Sequence, residues 1–173
     1  MSRPAVETTP YAFLYRLEEP ADAAIIEARH AEVFGPDRFR RAAYVLRDGV
    51  APEPTLSFVA VLDDRLAASV RMTPITIGER PALLLGPLAV VPAFKGRGAG
   101  KMLVRMALEA ARQGGHRAVM LVGDLPYYGP LGFVHLGRDA IILPAPVDPD
   151  RVLVAGLAEG ALEGLGGKAE SVR

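Results

Sequence analysis

The sequence predicts a mixed α/β fold of α+β character: a central, mostly antiparallel sheet with one strand–helix–strand crossover. Three observations carry this. Apolar runs between residues 56 and 91 are separated only by short turn segments, as in consecutive antiparallel strands. One long amphipathic segment after residue 100 stands between two apolar runs, as a crossover helix does. Half of the 173 residues are hydrophobic, enough for one domain over 1–173 with a sizeable core.

Residues 11–17 read as a first strand. Glu18-Glu19-Pro20 opens a helix to about Phe34, with acids in its first turn where the helix dipole favours them, and Gly35-Pro36 ends it. Asp37 caps a second helix on which Phe39, Ala42, Ala43 and Leu46 share a face, and Asp48-Gly49 closes it. A proline-marked loop follows. Residues 56–62 and 65–77 are strands joined by a hairpin turn at Asp63-Asp64, with Pro74 at an edge or bulge. After a turn at 78–81, residues 83–91 form an apolar strand. The long helix buries Leu103, Met106, Ala107, Ala110 and Ala111, leaves Lys101, Arg105, Glu109 and Arg112 to water, and stops at Gly114-Gly115. Residues 118–122 are a buried strand and 126–131 a compact turn or helix. Residues 133–143 and 151–157 are the last strands, and 158–173 extend the final strand or form a tail.

Composition narrows the chemistry. The absence of cysteine excludes disulfides, thiolate metal sites and cysteine nucleophiles. His30, His116 and His135 lack metal-ligand spacing, so no metal is expected. Zero formal net charge offers no nucleic-acid footprint. The segment MSRPAVETTP does not read as a signal peptide. No apolar run approaches the ~20 residues that span a bilayer. The expectation is a cytoplasmic protein without membrane or nucleic-acid partners.

Before the long helix, Gly96, Gly98 and Gly100 alternate with Lys95, Arg97 and Lys101. Glycine lets a ligand approach the backbone closely, and bare N–H groups at a helix start attract phosphate. The nucleotide P-loop is excluded, because Lys95 stands where its first glycine belongs and Met102 where its hydroxyl belongs. The dinucleotide pattern G-x-G-x-x-G fails at Lys101. A glycine turn that serves only helix packing is the alternative.

The run Lys95-Gly96-Arg97-Gly98-Ala99-Gly100 resembles the pyrophosphate loop [Gln/Arg]-x-x-Gly-x-[Gly/Ala] of the GNAT family, the Gcn5-related N-acetyltransferases. Lys95 replaces the usual first residue. Tyr128-Gly129-Pro130-Leu131-Gly132-Phe133 matches the family's Tyr-x-x-x-Gly-Phe segment. The strand order is also similar over residues 11–157, although only 83–133 carry specific motifs. The chain looks like a subgroup with a shortened segment before Tyr128, in which the usual Asn-x-x-Ala, and with it the Asn contact to a pantetheine arm, is missing.

The resemblance implies an N-acetyltransferase with acetyl-CoA as co-substrate and a primary amine of a small molecule or protein as acceptor, joined by direct attack in a ternary complex. A non-catalytic acyl-CoA-binding or regulatory domain is the alternative. It implies that main-chain N–H groups of Arg97, Gly98, Ala99, Gly100 and Lys101 hold the pyrophosphate, with Lys95 and Gly96 completing the loop. Leu88, Ala89 and Val90 bond the pantetheine arm like an added strand. Pro92 helps that strand part from its neighbour, and an N–H near Val90 donates to the oxyanion. Tyr128 is the acid for the departing thiolate, or else simply packs. Asp124 and Glu32 are the candidate bases. Each also reads as a solvated or structural acid, and Asp124 as a cap for the next turn. Arg71 either lies on a solvated strand face or binds an acidic acceptor. Arg38, Arg40, Arg41 and Arg47 face water or steer an anionic substrate. The acceptor pocket is expected between the first two helices and the late loops. A homodimer through the last strand stays open.

Overall fold

The computed structural model describes residues 12–172, so Tyr11 and the N-terminal segment lie outside the described residues. Strand β1 is Leu14–Leu17. Helices α1 (Ala23–Phe34) and α2 (Ala42–Arg47) follow. Strands β2 (Phe58–Leu62), β3 (Arg65–Ile77) and β4 (Arg80–Val90) form the meander. Helix α3 (Ala99–Gln113) and strand β5 (Ala118–Val122) complete the crossover. The short helix α4 (Leu125–Tyr128) and strands β6 (Ile141–Ile142), β7 (Val152–Gly156) and β8 (Gly167–Ser171) end the fold.

The main sheet runs β1-β2-β3-β4-β5-β7. Along that order every pairing is antiparallel except β4 with β5. Strand alternation divides the core between two faces. Leu83 and Leu85 of β4 join Leu103, Val104, Ala107 and Ala111 of α3 on one face. Leu84 joins Leu46 of α2, Met120 and Val154 on the other. The expected stripe of α3 is shifted by one position. Val104 and Leu108 are buried, while Met106 and Ala110 are only half-buried at its margin.

Four expectations change. The second helix does not start from Asp37: residues Pro36–Arg40 form a 3-10 turn, α2 starts after Arg41 without a side-chain cap, and Phe39 is exposed. Strand β2 starts at Phe58 because Pro54–Leu56 turn first. Residues 133–143 are not one strand. The exposed Arg138-Asp139 turn interrupts them, leaving a bridge from Val134 to Val154 and the two residues of β6. The C-terminal residues do not extend β7. They fold back as β8, pairing antiparallel with β3 at Ile75↔Ser171 through Ile77↔Ala169 and parallel with β6. Pro74 lies on the stretch of β3 that neither β2 nor β8 pairs, so its missing N–H breaks no ladder there.

Candidate active site

The site begins where two strands part. β4 and β5 pair only at Leu83↔Val119 and Leu84↔Met120. Beyond Leu84, Gly86 holds φ at +130°, a region closed to ordinary side chains, and Pro87 has no N–H to donate. The β3–β4 register also shifts here, from Met72↔Leu85 to Val70↔Leu88, which leaves an extra residue on β4. The parting is therefore set by Gly86-Pro87. Pro92, expected to help it, lies past the strand in a 3-10 turn, Pro92–Phe94.

A cavity of about 730 Å³ fills the opening. It is lined by residues 85–88 and 121–124 and by Tyr127 and Tyr128, together with Phe34, Arg41, Tyr44, Arg47, residues 146–148 and Arg151. The strand also offers its backbone. Val91 N–H bonds Ala67 O at 2.9 Å, and Ala68↔Val90, Ser69↔Ala89 and Val70↔Leu88 are successive partners. Antiparallel pairs alternate in their bonding. Ala89 therefore spends its main-chain groups on β3, while Leu88 and Val90 turn theirs toward the opening.

The glycine loop adjoins this edge. Gly98 is the N-cap of α3 at φ +84°, and Gly96 has φ +76°. Nothing lies within 4 Å of a Cβ added at either, so backbone conformation is what requires glycine. Gly100 is different. A Cβ there would stand 2.8 Å from Tyr127 Oη and 3.2 Å from Val90 Cγ2. The amides of Gly96, Gly98, Ala99, Gly100 and Lys101 find no acceptor among the described residues, and the first helical N–H to find one is that of Met102, on Gly98 O at 3.1 Å. These donors and the helix dipole point the same way. Lys95 and Lys101 are exposed beside them, the latter with Nζ 5.5 Å from the Tyr127 ring centroid.

Helix α4 presents two tyrosines. The Asp124 carbonyl accepts the N–H groups of Tyr127 and Tyr128 at 3.1 and 3.0 Å. The Asp124 carboxylate makes no cap. It accepts from Arg151 Nε at 3.1 Å on the cavity rim. The Tyr128 ring lies over Gly123, where a Cβ would be 2.5 Å from it, with its centroid 5.7 Å from that of Phe133 and 4.7 Å from that of Tyr127. Burial chiefly, with Tyr127 and Asp124 adding to it and Arg151 opposing, raises the Tyr128 phenol far above its ordinary value. It therefore stays protonated throughout the neutral range.

The other sequence candidates separate. Glu32 is exposed on α1, accepts from Arg29 Nη1 at 3.1 Å and does not line the cavity. Arg71 is neither solvated nor available, because Glu18 accepts from its Nε at 3.0 Å and its Nη2 at 2.8 Å. Arg40 is exposed, whereas Arg47 lies half-buried in the cavity wall. Its Nε donates to Ala43 O at 3.1 Å, its guanidinium carbon is 4.5 Å from the Tyr44 ring centroid, and its Nη1 is enclosed without a partner. Desolvation chiefly lowers its pKa to about 10. No motif surrounds Tyr44 or Arg47 in the sequence to single them out. No group of residues suited to holding a metal ion occurs among the described residues.

The Acetyltransferase (GNAT) family model matches residues 15–133. Among curated proteins, the uncharacterized N-acetyltransferase YhbS of Escherichia coli is 30% identical over 161 residues, covering 91% of this chain and 95% of that protein. Among solved structures, E. coli YhbS in complex with CoA superposes with a TM-score of 0.79 at 28% identity, covering 99% of this chain and 93% of that one. A GNAT family acetyltransferase from Brucella melitensis in complex with acetyl-CoA gives a TM-score of 0.57 at 28% identity, over 88% of this chain and 99% of that one.

Proposed function

This chain belongs to the GNAT acetyltransferase family, and we propose that its cleft passes an acetyl group from acetyl-CoA to a primary amine by direct attack within a ternary complex. It is an acetyl-CoA-dependent acyltransferase. The observation that carries the mechanism is the meeting of two unbonded backbone surfaces, the loop amides and the outward edge of Leu88 and Val90, beside Tyr128. A diphosphate needs convergent donors, and a long amide arm needs an open strand edge. Both are present and adjacent.

Acetyl-CoA supplies an activated thioester. The loop amides, with Lys95 and Lys101 beside them, hold its diphosphate. Leu88 and Val90 bond its arm as an added strand, and an N–H at Val90 donates to the oxyanion as charge develops. Tyr128 gives its proton to the departing sulfur. Asp124, held at the rim by Arg151, takes the amine proton directly or through a water. Glu32, turned to Arg29 outside the cavity, has no part in this reading.

Calorimetry is expected to show heat and thermal protection with acetyl-CoA. No heat at millimolar ligand and low salt would sink the reading. Tyr128→Phe is expected to lower kcat roughly 100-fold while keeping acetyl-CoA affinity. Turnover unchanged across pH would remove the acid role.

A further inference from the structure

The cavity lining carries a guanidinium that pairs with no carboxylate among the described residues. Two other arginines around it are paired with carboxylates. Arg71 binds Glu18, and Arg151 binds Asp124. Arg41 donates to Phe34 O at 3.5 Å, and Arg38 donates to Gly35 O at 3.0 Å, with its Nε also enclosed without a partner, but Arg38 does not line the cavity. Arg47 uses only Nε, on Ala43 O, and pairs with no carboxylate among the described residues. Its Nη1 packs 3.6 Å from where a Gly86 Cβ would stand, enclosed and without an acceptor. The Tyr44 hydroxyl in the same wall is also enclosed without a partner. A desolvated guanidinium nitrogen and a phenol hydroxyl that each lack an acceptor are costly to keep unless an anion satisfies them.

The geometry points to a small amine that also carries a carboxylate as the acceptor, its carboxylate seated on Arg47 and Tyr44 beside the Gly86-Pro87 break and its amine directed along the cavity toward Tyr128 and Asp124. This rests on the acetyl-transfer reading above and deepens it. Three features support it. The cavity has the volume of a small-ligand site. Arg47 touches the β4 break, which lies beside the strand edge assigned to the acetyl donor. Arg71, the alternative carboxylate binder on the sheet, is already neutralised by Glu18.

The test measures thiol release from acetyl-CoA with glycine, β-alanine, γ-aminobutyrate, ε-aminocaproate and lysine, each beside its carboxamide. At least one acid is expected to exceed its amide about 30-fold in kcat/KM, the scale of a charge-assisted bond lost. Arg47→Gln should abolish that preference with acetyl-CoA affinity intact, and Arg47→Lys should restore part of it. Tyr44→Phe, which removes only a hydroxyl, should reduce the preference several-fold and serves if Arg47→Gln does not fold. Amides accepted as well as acids, or no acid accepted, would overturn the assignment while leaving acetyl transfer standing. Absence of acetyl-CoA binding would overturn both.

Discussion

His30 shows how a single residue constrains the whole molecule. It is fully buried on α1, with Nδ1 3.8 Å from Glu27 and Nε2 without a partner. Desolvation first, then Arg71, Arg47 and Arg38, depress its pKa to about 3. The unfolded chain takes up a proton near pH 6.5, and the folded chain refuses it until far lower. Its contribution to stability is therefore complete above about pH 6.5 and drains away as pH falls toward 3, by at most about 1.4 kcal/mol per pH unit. Asp22, lowered chiefly by its bond from Arg16, loses its contribution only below about pH 3.9. Denaturant midpoints between pH 6.5 and 4.5 should therefore fall in the wild type and stay nearly level in His30→Gln. Equal slopes would show that His30 is not the titrating group.

At the scale of an element, the loop before α3 divides its glycines by purpose. Gly98→Ala puts a side chain into the left-handed region at a cost of about 1 kcal/mol, with no collision. Gly100→Ala meets the Tyr127 hydroxyl and Val90. The first should lower the melting temperature and weaken acetyl-CoA binding together, because the amides turn with the backbone. The second should cost little stability but raise KM for acetyl-CoA, because Tyr127 must swing over the loop. Melting curves beside calorimetric titrations distinguish them, and identical behaviour would refute the division. The motif at 95–100 was legible from its alternating glycines and that at 128–133 from its match to the family pattern, because each is written in adjacent residues. Gly86-Pro87 was passed over because a Gly-Pro inside an apolar run signals nothing until the strand beside it is known.

The molecule as a whole depends on β3, which takes β2 along one half and β8 along the other. Ser171 Oγ of β8 also donates to Leu46 O at 2.7 Å, tying down α2, which carries Tyr44 and Arg47. Removing residues 167–173 should lower the melting temperature by several degrees and raise KM for the acceptor more than for acetyl-CoA. An unchanged acceptor KM would separate β8 from the acceptor wall. No helix among the described residues is long and apolar enough to cross a membrane.

From the sequence came the crossover, the apolar stripe of α3 to within one position and, through the resemblance to the GNAT family, the loop of Lys95 to Gly100 and Tyr128 beyond it. The crossover and the stripe rest on periodicity, and the two motifs on short runs of neighbouring residues that match the family pattern. Tertiary structure alone decided that β4 leaves β5 at Gly86, that Glu32 faces away while Asp124 lines the cavity, and that Arg47 goes inside while Arg71 is neutralised by Glu18. Those outcomes depend on which strands and side chains meet across tens of residues, and on how much water each meeting excludes, neither of which is encoded in any short stretch of chain.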